Sequence, residues 1–188
     1  MSSQTHNCSG LGVLDAGSHL KHIGDSAFSD CGSLTNLNLG KALISVGNRA
    51  FDACKELRNV ALNEGLVDLG DGAFASCASL NSLFLPSSLR YVANSAFYHC
   101  TSLTNLPFGR SVITIGRSAF EGCLGLTAAS IPDGVVNIRD QAFYGCSNLT
   151  VAEFPDSIAS VGFYALSLCP SLTSVRAKIP HSGQTIKG

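Results

Sequence analysis

The chain has 188 residues, 45% of them hydrophobic and 13% charged, with a formal net charge of −1. That length suffices for one domain with a sizeable core, and a near-neutral chain without a Lys/Arg run is a poor partner for nucleic acid. No apolar run approaches the roughly 18 residues of a membrane span, so membrane insertion is not expected.

Residues 1–7 are polar and are expected to fray or to lie across the first coil. From Cys8 a period takes over. Cysteines stand at 8, 31, 54, 77, 100, 123, 146 and 169, always 23 residues apart, and a leucine follows three residues after each. An Ala-Phe pair recurs at Ala27-Phe28 and at every later period until Ala165-Leu166 replaces it. A fixed period of this length with leucines at fixed offsets is the signature of a leucine-rich repeat solenoid.

Each unit reads as one coil. In 35–39 polar and apolar residues alternate, as in a half-buried strand. The equivalents are 58–62, 81–85, 104–108, 127–131, 150–154 and 173–177. Gly40, Pro86, Gly109, Pro132 and Pro155 then mark a turn, and a second short extended piece comes next, such as 43–46. After Gly47 the Ala-Phe segment is too short for a full helix, and one helical or 3₁₀ turn is expected there. The Gly47 column admits Ala93 and Arg139, so its constraint reads as space rather than positive φ. The expected fold is therefore an α/β solenoid, right-handed, with 23-residue coils, a parallel strand ladder and short helical or 3₁₀ turns. One domain is expected over 1–188, with about seven coils across 8–177, an irregular first coil and a C-terminal tail.

The cysteines run in parallel columns and point the same way, which argues for buried free thiols against disulfides. No Cys-x-x-Cys and no histidine at matching offsets suggest a metal site.

These residues resemble the BspA-like, or Treponema-type, leucine-rich repeats. That pattern is a C-x-x-L strand followed by P-x-S-L/V-x-x-I-G-x-x-A-F-x-x-C. Here it appears as Cys77-Ala-Ser-Leu80, Leu83-Phe-Leu85-Pro86-Ser-Ser-Leu89 and Ala96-Phe97. Commoner leucine-rich repeats place Asn where this chain has Ala42, Gly65, Ser88, Ser111, Gly134 and Ser157, so their asparagine ladder is expected to be absent. The resemblance implies binding rather than catalysis, in a cell-surface or protist setting, with a fragment of a cell-surface adhesin as one alternative. Against the surface setting, residues 1–10 lack a signal-peptide profile, and free cysteines favour an intracellular compartment. Two glycosylation sequons, at Asn7 and Asn148, bear on the chain only if it is exported.

The candidate sites are set by the columns. Between the buried leucines, side chains at the Asn36 and Asn38 positions point outward. Phe84, flanked by Ala61 and Pro107 and rimmed by Asn59, Ser82 and Asn105, forms an apolar anchor with a polar rim, the anatomy of a protein interface. The alternative is that a lone surface Phe needs no explanation. In the last coil Phe163-Tyr164 replaces polar pairs, and Leu168 replaces small or polar residues. These pack under the tail 178–188 as a cap, or they offer an end-on contact with a partner or a larger assembly. Tyr98-His99 with Tyr91 makes a lesser aromatic candidate. The five histidines fall in different columns, and no carboxylate adjoins His99 in its own column to orient it as a base. The expectation is a non-enzymatic protein-binding module or scaffold, without cofactor, whose partner is another protein.

Overall fold

The computed structural model describes residues 8, 10–106, 108–177 and 185–186. Among the described residues fifteen short strands form two parallel series. The first series lies after the C-x-x-L motif: β1 (Val13–Asp15), β3 (Asn36–Asn38), β5 (Asn59–Ala61), β7 (Ser82–Phe84), β10 (Ala128–Ser130), β12 (Val151–Phe154) and β14 (Ser174–Ala177). The second lies before the glycine column: β2 (His22–Ile23), β4 (Ser45–Val46), β6 (Asp68–Leu69), β8 (Tyr91–Val92), β9 (Thr114–Ile115), β11 (Asn137–Ile138), β13 (Ser160–Val161) and β15 (Thr185–Ile186). Pairing is parallel with partners 23 apart, as in Leu14 with Leu37 and Ala61 with Phe84. The last pair differs: Ser160 meets Thr185, 25 residues on, so the final coil carries two extra residues.

The expected helical turns do not form. Among the described residues there is neither α- nor 3₁₀-helix, and the fold is a pure β-solenoid rather than an α/β one. The reason lies in the backbone of the Ala-Phe segment. Two positions per coil, four residues apart, take positive φ: Ser26 and Asp30 at 54° and 59°, Ser95 and His99 at 53° and 55°, Tyr164 and Leu168 at 57° and 54°. A left-handed residue breaks a right-handed helix each time it occurs. What remains is a run of tight turns in which alternate N–H groups face opposite ways. Ala27, Ser29 and Cys31 bond back three residues at 3.4, 3.2 and 3.3 Å, whereas Ser26, Phe28 and Asp30 donate to Asn48, Ala50 and Asp52 of the next coil at 2.8 Å each. The segment thereby becomes a third ladder between coils.

That third ladder holds where the strand ladders fail. The first series breaks between β7 and β10, because 104–106 and 108 form no strand. The sequence places Pro107 there, and proline has no N–H to give to a ladder. The second series breaks between β6 and β8. Ala93 stands in the glycine column at that point, but Arg139 in the same column still bonds Ile115 at 2.9 Å, so a Cβ alone does not open the ladder. Across both breaks the phenylalanines stay stacked. From Phe28 to Phe143 the centroids are 5.2–5.8 Å apart with planes within 14° of parallel, and the widest step, Phe74 to Phe97, falls at the second break.

The core is these columns. Phe51, Phe74, Phe97, Phe120 and Phe143 are fully buried, with the leucines and cysteines of the same coils. A buried phenylalanine removes roughly 150–250 Å² from water, so the column is a main source of stability. The glycine column is indeed a matter of space. A Cβ on Gly70 would lie 2.4 Å from the backbone of Gly47 and Asn48, and Gly70 has no positive φ.

Candidate binding surface

The strand series positions the side chains of the open face. In β5 and β7 the central residues Val60 and Leu83 point inward, while Asn59, Ala61, Ser82 and Phe84 are exposed. Asn59 pairs in register with Ser82 and Ala61 with Phe84, so these four form one contiguous patch. Phe84 is 45% exposed. Asn105 is exposed but stands outside any strand, and Pro107 lies outside the described residues. The first-series ladder stops at β7, so Phe84 sits on the last strand of a four-stranded sheet rather than in mid-sheet as the column pattern implied.

Beyond the break the face changes chemistry. On β10, β12 and β14 the Ser130 hydroxyl lies 3.4 Å from the Glu153 carboxylate, which pairs with Arg176 at 3.2 Å. Both partners of that ion pair are exposed, so it contributes about 0–1 kcal/mol.

Phe163 and Tyr164 belong to a different surface, the Ala-Phe segment of the last full coil. Their rings are 6.5 Å apart at 44°. They are 46% and 58% exposed, and Leu168 and Val175 are 66% and 49% exposed. Most of the tail expected to cover them lies outside the described residues. The part that is described, β15, extends the second strand series instead. Cys169 and Leu172 beside them are half-buried.

Tyr98 and His99 do come together, with ring centroids 4.2 Å apart, and the Tyr91 hydroxyl donates to Asn94 Oδ1 at 2.8 Å. Tyr98 and Asn94 help line a groove of about 370 Å³ with Arg49, Asp52 and Asp71. Burial pushes the Asp52 carboxyl above its usual range, against the pull of Arg49. His22 and Ser45 make a second polar contact at 2.8 Å on the strand face of β2 and β4. Among the described residues no cluster of three or more His, Cys, Asp or Glu is placed to hold a metal ion.

One feature of the surface has no counterpart among the expectations from sequence. The asparagine column of commoner repeats is absent, but a different ladder runs just after the glycine column. Asp25 Oδ1 accepts the Asn48 N–H at 2.7 Å, Asn48 Oδ1 the Asp71 N–H at 2.8 Å, Asp71 Oδ1 the Asn94 N–H at 3.1 Å, and Asn94 Oδ1 the Arg117 N–H at 2.9 Å. Arg117 offers no such acceptor, and Asp140 resumes the pattern with the Phe163 N–H at 2.8 Å. Each side chain caps the coil after it.

Stacked coils that hold periodic side chains on a rigid face define a repeat-protein interaction scaffold, a class that works by binding rather than catalysis. Within that class the chain belongs to the BspA type leucine rich repeat region family, whose six-copy profile matches residues 4–104 and 68–187. Solved structures agree. A leucine-rich repeat protein from Bacteroides ovatus is 26% identical with a TM-score of 0.65, over 97% of this chain and 58% of that one. The leucine-rich repeat protein of T. pallidum is 25% identical with a TM-score of 0.64, over 90% and 69%. A protein from Faecalibacterium prausnitzii described as a leucine rich cell surface protein shares the fold at 20% identity and a TM-score of 0.51, over 91% and 60%. The chain thus spans only about three fifths of the length of the B. ovatus and F. prausnitzii relatives and 69% of the T. pallidum one. No curated protein matches it. No helix among the described residues is long and apolar enough to cross a membrane.

Proposed function

We propose that the chain recognises a protein partner through the strand face of its first half, with Phe84 as the anchor. The observation that carries this reading is the register of β5 and β7. It sets an exposed aromatic ring beside Ala61 and within a rim of Asn59 and Ser82. Buried anchors ringed by polar groups supply most of the free energy of protein interfaces, and a rigid solenoid loses little side-chain order on binding. Asn105, exposed beyond β7, would complete the rim. The test is affinity capture from the native source, comparing the wild-type chain with Phe84→Ser. The variant is expected to retain its melting temperature and lose the captured chain. Capture unchanged by Phe84→Ser overturns the patch.

A second reading uses the last full coil, where Tyr164, Leu168 and Val175 are exposed together with Phe163. It makes the chain a subunit that docks end-on in a larger assembly. Tyr164→Ser with Leu168→Ser would then release the neighbour while Phe84→Ser would not. A cell-surface setting is the companion proposal, supported by the name of the F. prausnitzii relative. Its mark on this chain is occupancy of the exposed sequon at Asn148, and a bare Asn148 in chain purified from the native source counts against it.

A further inference from the structure

The turn after each first strand repeats at 64, 87, 110 and 133. Glu64 reaches across one coil boundary, and its Oε2 accepts the backbone N–H of Ser87 at 2.9 Å. One coil later Ser87 stands where Glu64 stood and is too short to reach. The Arg110 N–H therefore has no acceptor among the described residues. The next column repeats the lack. Gly134 donates its N–H to the Ser157 hydroxyl at 3.0 Å, whereas one coil earlier the place of Ser157 is filled by Gly134, which has no hydroxyl to offer Ser111. Two consecutive backbone donors, Arg110 and Ser111, thus have no acceptor among the described residues, as is also true of Glu64, Gly65, Ser88 and Asp133 in the same two columns; the Glu64 and Ser157 contacts show how an oxygen can seat there.

They adjoin a surface groove of about 460 Å³ whose lining includes Ser87, Ser88, Arg90, Arg110, Ser111 and Gly134, with no carboxylate. The Ser88 and Ser157 hydroxyls are engaged on the carbonyls of Leu66 and Val135. Among the described residues the Ser111 hydroxyl makes no equivalent bond. Neither Arg90 nor Arg110 has a carboxylate within ion-pair distance among the described residues. Adjacent main-chain N–H groups form an anion seat. Arginine meets a carboxylate with a fork of donors.

We propose that this groove binds a carboxylate. It sits on the Arg110 and Ser111 N–H groups as the Glu64 carboxylate sits on Ser87, and the Arg90 and Arg110 guanidinium groups neutralise it. The site lies on the corner beyond β7 and stands or falls independently of the Phe84 patch.

The test is a titration of the ¹⁵N-labelled chain with sodium acetate at constant ionic strength, with sodium chloride and sodium sulfate as parallel arms. Saturable shifts of the Arg110 and Ser111 amides in acetate, with none in chloride, are expected. Arg90→Gln, a change at an exposed side chain, weakens the acetate response at least about threefold through loss of a charge-assisted contact. Ser87→Glu supplies the carboxylate from within the chain, as Glu64 does one coil earlier. It is expected to raise the melting temperature and abolish the acetate response. Non-saturating shifts, equal saturation in chloride, a response to sulfate alone, an unaltered response in Arg90→Gln, or a folded Ser87→Glu chain that still binds acetate would each overturn the assignment.

Discussion

The Cys77 thiol donates to the main-chain carbonyl of Phe51 at 3.2 Å, and the same oxygen accepts the Cys54 N–H at 3.3 Å. One carbonyl thus ties its own turn to the next coil. The contact recurs from Cys54–Phe28 to Cys169–Phe143, at 3.2–3.3 Å. The cysteine column is therefore a set of inter-coil hydrogen bonds as well as apolar filling, which explains a thiol where alanine would fill much of the space.

Thiol reactivity is governed by the same packing. The six cysteines from Cys31 to Cys146 are buried, and Cys8 and Cys169 are half-buried. Burial pushes Cys54 and Cys146 up to about 12 and Cys100 well above its usual range. A thiol-specific chromogenic reagent at pH 8 should label Cys8 and Cys169 in the native chain, and all eight cysteines only after unfolding. Fast labelling of Cys100 in the folded protein would contradict the packing.

The same shifts fix a pH dependence. A thiol whose folded pKa is raised keeps its proton while the unfolded chain loses one, so stability is full below pH 9 and falls as pH climbs from 9 toward 12. Cys100→Ala removes one such thiol and should make the fall shallower by about 1.4 kcal/mol per pH unit. Denaturant unfolding between pH 8 and 11 measures it, and an unaltered slope refutes it.

Two glycines separate space from conformation. Gly145 has a φ of 69° and nothing within 4 Å of an added Cβ. Gly145→Ala should cost about 1 kcal/mol, the strain of a left-handed alanine, which Ala53 already bears in the same column at 60°. Gly70→Ala has no such strain but drives a Cβ to 2.4 Å from the backbone of the preceding coil. It should cost more, about 1–3 kcal/mol as overpacking does. Thermal melts of the pair decide it.

The exposed Asp/Asn ladder makes a further prediction. Asp71 receives the Asn94 N–H at 3.1 Å and its side-chain amide at 3.2 Å. Asp71→Ala should lose about 1 kcal/mol, in line with removal of a backbone-capping side chain, and Asp71→Asn should lose much less because the accepting oxygen remains. Equal losses in denaturant unfolding would show that the ladder holds nothing.

Much of this was legible in the sequence because burial imposes it. Cysteine, leucine, alanine and phenylalanine recur wherever coils press together, and the outward direction of Phe84 comes from strand alternation alone. The helical turns were misread because the left-handed positions carry Ser, Asp, Arg, Ala, His and Tyr more often than glycine, so no residue type flags them. Here inter-coil hydrogen bonds override local preference. The Asp/Asn ladder hid because aspartate and asparagine alternate and Arg117 interrupts them. The break after β7 had a signal, Pro107, whose missing donor weighs more than the polar–apolar alternation around it. The groove beside Arg90 and Arg110 hid because those two arginines belong to different columns of the repeat, and only the folded coils bring them to one surface.

The most direct test of stacked, interchangeable coils is excision of one whole period. Removing residues 54–76 joins Ala53 to Cys77 and brings Phe51 one coil from Phe97. The shortened chain should give a β-type circular dichroism spectrum and unfold cooperatively, at a lower temperature than the parent because one interface is gone. A control lacking residues 54–64 breaks the register and should not fold. If the excised chain is unfolded, or the control melts as well as it does, the coils are not equivalent and the account of the scaffold fails.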